Sequence, residues 1–151
     1  MKKVFEDFFS ELQGDMISIC LEYVDNKAET IYIYCSCEGG VVSSDFFYRI
    51  NGFIKERHKL NDPNGKMSYD TSAERQDAVL GIVNDDIIQI KNLCEQYGKA
   101  VPTEIKLIYD VKKNSLVANY KYDLVYSTDP EKTADDVANE WFNEIKSMKT
   151  N

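Results

Sequence analysis

Residues 31–50 read IYIYCSCEGGVVSSDFFYRI, and no other stretch of the 151-residue chain limits the fold so tightly. Ile31, Ile33, Cys35 and Cys37 alternate with Tyr32, Tyr34 and Ser36, a period of two that sends the two groups to opposite faces of a strand. Gly39-Gly40 marks a turn, and Val41 to Ile50 supplies the returning strand. So short a link makes the pair antiparallel, because parallel neighbours need a long crossover.

The rest of the chain is read outward from this hairpin. Val4, Phe5, Phe8, Phe9 and Leu12 recur at helical spacing, and Gly14 is read as the end of that helix. Ile17, Ile19, Leu21 and Tyr23 alternate with Ser18, Cys20 and Glu22 and are read as a first strand. A turn at residues 25–28 joins it to the hairpin, giving a three-stranded meander. From Lys55 to Asp70 periodicity is lost, and Asn, Asp, Pro and Gly cluster as in an exposed loop. Thr71 with Glu74 has the form of a capping box. The long helix that follows turns Val79, Ile82, Val83, Ile87, Ile90, Leu93, Cys94 and Tyr97 inward and stops at Gly98.

Beyond Pro102, Ile105, Leu107 and Tyr109 alternate with polar or flanking positions, residues 112–115 make a turn, and Leu116 to Tyr122 return as a further strand. Thr133 caps a last helix, with Asp135 and Asp136 at its positive end and Val137, Ala138, Trp141, Phe142, Ile145 and Met148 on its apolar side. The expectation is one α+β domain over residues 1–151 in the order α-β-β-β-α-β-β-α, with helices packed on one face of a five-stranded antiparallel sheet.

A formal charge of −8 and a pI near 4.7 argue against holding a nucleic-acid backbone, which needs clustered Lys and Arg. The N-terminal MKKVFEDFFSELQGD has no apolar core or cleavage site of a signal peptide, and no apolar run reaches the ~20 residues of a membrane span. A cytoplasmic protein with reduced cysteines is expected.

Signs of catalytic chemistry are sparse. His58, the one histidine, lies in the polar loop KERHKLND, with no nucleophile elbow to serve. Cys35 and Cys37 share the face that carries Ile31 and Ile33, which makes them core thiols, since a C-x-C pair lacks the four ligands of a zinc site. Gly39-Gly40 is not followed by the Lys-Ser or Lys-Thr of a phosphate loop. Asp85-Asp86 and Asp135-Asp136 are adjacent pairs whose members point about 100° apart on a helix, and both read as solvated positions. The sequence therefore leads to a non-enzymatic protein with no catalytic residue, cofactor or metal site.

Residues 122–140, YDLVYSTDPEKTADDVANE, hold six carboxylates against the single base Lys132. Two readings stand side by side. One is the wet face of a capped helix. The other is a surface built to meet a positive partner.

The order of elements resembles the YezG-like family of bacterial immunity proteins. The residues that carry the likeness are IYIYCSCEGG (31–40), FFYRI (46–50), IVNDDIIQIKNLCEQYG (82–98) and PTEIKLIYDVKKNSLVANYKYDL (102–124). Where such proteins tend to place tryptophans, before the first strand and opening the late hairpin, this chain reads LQGDM and AVPTE.

The resemblance implies an antitoxin that binds the C-terminal domain of a polymorphic or contact-dependent growth-inhibition toxin, a nuclease in many cases, one to one. It would act by covering the toxin's positive cleft, with no cofactor and no direct contact to nucleic acid or membrane. The carboxylates matched to that role are Asp123, Asp129, Glu131, Asp135 and Asp136, with Asp85 and Asp86 on the central helix and the 55–70 loop as further surfaces. The alternatives are an adaptor or ligand-binding module without a toxin partner, or an enzyme whose site would show as a pocket of perturbed titratable groups.

Overall fold

The computed structural model describes residues 4–61 and 69–148. Along the chain they form α1 (Phe5–Tyr23), β1 (Thr30–Glu38), β2 (Val41–Ile50), β3 (Phe53–Glu56), α2 (Ala73–Gln96), β4 (Glu104–Asp110), β5 (Ser115–Lys121) and α3 (Ala134–Ser147). The strands make one antiparallel sheet in the order β3-β2-β1-β4-β5. The α+β class, the five strands and the order of elements are those expected from the sequence.

The alternating run at 31–38 became the middle strand, and it is covered on both sides. Ile31, Ile33, Cys35 and Cys37 face α1 and α2 in the larger core, while Tyr32 and Tyr34 face α3 in a second, aromatic one. Register carries the division across the sheet: Ile33 lies between Phe46 and Leu107, and Tyr32 between Phe47 and Ile108. Trp141 of α3 stands edge-on to Phe47 and Tyr32, at ring-centroid distances of 5.1 and 5.9 Å. The helices therefore do not share one face, which corrects the one-face packing expected from the sequence. The sheet is the middle of three layers, because both halves of the β1 alternation are large and apolar.

A second correction concerns residues 17–23, which continue α1 instead of forming a strand. Gln13, Met16, Ile17, Cys20 and Tyr23 are the buried positions, and their spacing is helical. The alternation of Ile17, Ile19, Leu21 and Tyr23 is a by-product of apolar residues flanking that stripe. Gly14 sits inside the helix, and the chain leaves the helical conformation at Asp25 and Asn26, whose φ values are +53 and +63°.

The strand that replaces it is β3. Asn51 and Gly52 have φ of +52 and +80°, the paired positive values of a tight hairpin turn, and Ile50 pairs with Phe53. Lys55 and Glu56, expected in a loop, pair with Tyr48 and Phe47. Residues 62–68 of the expected loop lie outside the described residues.

Smaller adjustments follow. Ser72, not Thr71, caps α2 by accepting from the Arg75 N–H at 3.2 Å. Ile82 and Tyr97 are exposed rather than inward, as is Met148 beyond α3. Thr133 and Asp136 form the reciprocal cap of α3 at 2.9 and 3.2 Å. All four cysteines are buried free thiols. No helix among the described residues is long and apolar enough to cross a membrane.

Candidate functional site

The buried stripe of α2 runs Val79, Val83, Asp86, Ile90 and Cys94, with Ile87 beside it. Helical spacing thus carries one carboxylate into the apolar interface with α1. Asp86 is only 3% exposed, which corrects its reading as a solvated position, whereas its neighbour Asp85 is exposed. Across the interface stands Asp15 of α1, one residue after the helical glycine.

The two carboxyls stand close enough for Asp15 to act on Asp86. Burial comes first, then the hydrogen bond to Asp15 and the charges of Asp15 and Asp85, and together they push the Asp86 carboxyl up to about 8. Its Oδ2 atom is buried with no hydrogen-bond donor. Beneath it, burial and then the Asp86 charge push the Cys35 thiol up, so that thiol stays neutral.

The pair opens onto a surface groove of about 500 Å³ between α1 and α2. Phe8, Leu12 and Leu93 give it an apolar floor, and Gln89, Asn92 and Gln96 give it amide walls. Glu11 adds a third carboxylate to the lining. Among the described residues, none that lines the groove is a lysine or arginine. Of the basic residues flanking it on α2 and just beyond, Lys91 is paired with Glu95 at 3.1 Å and Lys99 lies over the Phe5 ring at 4.8 Å.

The acidic stretch at 122–140 has a different fate. The Asp129 carboxylate accepts from the Glu131 N–H at 3.0 Å, Asp136 belongs to the α3 cap, and Glu140 pairs with Lys132 at 3.0 Å. Asp123, Glu131 and Asp135 are exposed. A larger cavity of about 790 Å³ lies on this side, but Lys106, Lys121 and Lys132 line it together with Asp123, Glu140 and Trp141, so its charge is mixed. The structure therefore gathers Asp86 with Asp15 and Glu11, and leaves Asp123, Asp129, Glu131, Asp135 and Asp136 along the α3 flank.

Two further buried carboxylates were not singled out from the sequence. Glu38, at the end of β1, accepts from the Val125 and Ser127 N–H groups and from Ser127 Oγ, at 3.0, 3.2 and 2.6 Å. Burial works to raise its carboxyl, yet the Ser127 hydroxyl and the backbone donors of residues 125–127 prevail and hold it below its ordinary value. Glu104 accepts from the Tyr34 hydroxyl at 3.1 Å and faces Lys106 and Lys121 at 3.6 and 3.7 Å. Both acids are satisfied by the fold itself. His58 is an exposed residue 3.5 Å from Glu56. Among the described residues, no group of three or more His, Cys, Asp or Glu side chains converges to hold a metal ion.

Compared with protein-family models and with curated proteins, the sequence finds no match in either.

Proposed function

We propose that this chain is an immunity protein, which binds the C-terminal domain of a cognate bacterial toxin one to one in the cytoplasm and neutralises it. The observation that carries the reading is the α1/α2 groove. Its carboxylates Asp15 and Asp86 line a concave surface with no lysine or arginine among the described lining residues. A nuclease domain presents the opposite charge, because it must hold phosphate. An acidic inhibitor gains both rapid encounter and exclusion of substrate from that arrangement. The resemblance of its order of elements to the YezG-like family points the same way.

The test is co-expression with the C-terminal domain encoded by the neighbouring large gene. Rescue of growth and a tight 1:1 complex are expected, with an association rate that falls by about tenfold or more as salt rises. A domain that remains toxic and does not co-purify would contradict the reading for that partner.

One observation favours a second reading. A carboxyl raised to about 8, facing another carboxyl in a groove, is also how acid–base sites are built. In that case a small cationic compound, with no partner protein, would raise the melting temperature of the wild-type chain and not that of Asp86→Asn.

A further inference from the structure

We infer that the α1/α2 groove seats one arginine side chain of the partner, whose guanidinium bridges the carboxylates of Asp15 and Asp86. The inference deepens the inhibitor reading and rests on it for the partner's identity.

The need for a cation follows from what surrounds Asp86. It is 3% exposed, and its Oδ2 atom is buried without a donor. A buried polar atom left so is costly unless a ligand supplies the missing group. Among the described residues, the charged or titratable groups that face it are Asp15 from α1, the Cys35 thiol from β1 and Asp85 on its own helix. None of them is a base. A single positive charge between the two carboxyls would satisfy the buried oxygen and cancel the repulsion that now retains a proton there.

The groove also selects the form of that charge. A guanidinium offers a planar fork of N–H donors that can reach two carboxylates at once, and it gives up its hydration more readily than an ammonium does. Its aliphatic stem needs apolar contact, which Phe8, Leu12 and Leu93 provide. A metal ion would need more ligands than this pair, and no such group converges among the described residues.

Seating the guanidinium expels the proton held between Asp15 and Asp86, which passes to solvent. Binding is then linked to pH. Below the value at which Asp86 titrates, affinity rises by about tenfold for each pH unit, and above it affinity levels off.

The experiment is an NMR titration of the full, isotopically labelled chain with three blocked tripeptides, Gly-Arg-Gly, Gly-Lys-Gly and Gly-citrulline-Gly, at pH 6, 7, 8 and 9. The arginine peptide is expected to give saturable shifts at the amides of Asp15, Asp86 and Gln89, tightening by about tenfold per unit from pH 6 to pH 8. Citrulline, which keeps the shape and lacks the charge, should give none. Asp86→Asn and Asp15→Asn should each weaken the arginine peptide by tenfold or more at pH 9 and remove the pH dependence. Asp77→Asn, the same charge change on an exposed part of α2, should change neither.

Absence of saturable shifts at pH 9, equal shifts from citrulline, or affinity independent of pH overturns the inference. Equal binding of the lysine peptide overturns its choice of guanidinium. If the peptide binds while the neighbouring toxin domain is neither bound nor neutralised, the inhibitor reading falls and the groove assignment stands. Neutralisation unchanged in Asp86→Asn has the opposite meaning.

Discussion

The α3 flank and the α1/α2 groove are both acidic, and they use their acids in opposite ways. On the α3 flank, Asp129 closes a turn, Asp136 caps a helix, Glu140 meets Lys132, and the buried Glu38 fastens residues 125–127 to the end of β1. In the groove, Asp86 is as deeply buried as Glu38, yet it faces another carboxylate instead of N–H donors. Density of charge along the chain therefore does not locate a binding surface. The informative acid is the one whose fold supplies no donor.

The comparison can be broken first at its architecture. Trp141→Ala removes the central side chain of the aromatic core beneath α3 and should cost about 3–5 kcal/mol in urea unfolding. The amide shifts of Asp15 and Asp86, on the far side of the sheet, should hardly move. A loss of less than about 1 kcal/mol would place α3 on the surface and undo the three-layer description.

The next two substitutions set the two buried acids against each other. Glu38→Ala removes three accepted hydrogen bonds and should cost about 2–3 kcal/mol at pH 7, with loss of amide protection at Val125 and Ser127. Because the Glu38 carboxyl is held below its ordinary value, its contribution is present above the ordinary carboxylate range and is lost as pH falls through the lowered value.

Asp86 has the reverse sign. Its carboxyl is raised to about 8, so between about pH 4 and that value the native chain keeps a proton that the unfolded chain has released. Stability therefore falls as pH rises through that window. Asp86→Asn should flatten the fall and stabilise the protein by about 1–3 kcal/mol at pH 9, with little change at pH 4. Chemical denaturation of both proteins across the window reads the two slopes.

The smallest effect tests the helix that builds the groove. A Cβ at Gly14 meets nothing within 4 Å, and the residue is helical. Gly14→Ala should stabilise by about 0.5–1 kcal/mol. Were residues 17–23 a strand after a glycine stop, the same change would destabilise.

Much of this was legible in the sequence. The alternation at 31–38 and the glycine pair after it define the middle of the sheet, because a two-residue period with large side chains on both faces has few other homes. Thr133 with Asp136 announced the start of α3. Residues 17–23 misled because an apolar stripe with flanking hydrophobics imitates alternation over so short a span, and Gly14 invited an early stop. The Asn51-Gly52 turn is a readable hairpin signal, and the loop expected from Lys55 onward begins inside the strand that this turn opens. Asp86 was readable too, since it falls three residues after Val83 and four before Ile90 on the inner stripe. Its partner Asp15 was not, because the contact depends on how α1 crosses α2, and no local pattern encodes that.

The most direct test of the groove is a carbon-13 NMR titration of the Asp86 side-chain carboxyl in the wild-type protein, with Asp86→Asn fixing the assignment. A midpoint at about 8 is the expected result, meaning that the α1/α2 interface holds a proton where a cation belongs. A midpoint near 4, the ordinary range of an aspartate, would mean that Asp86 is solvated and charged at neutral pH, and it would contradict the assignment of the groove.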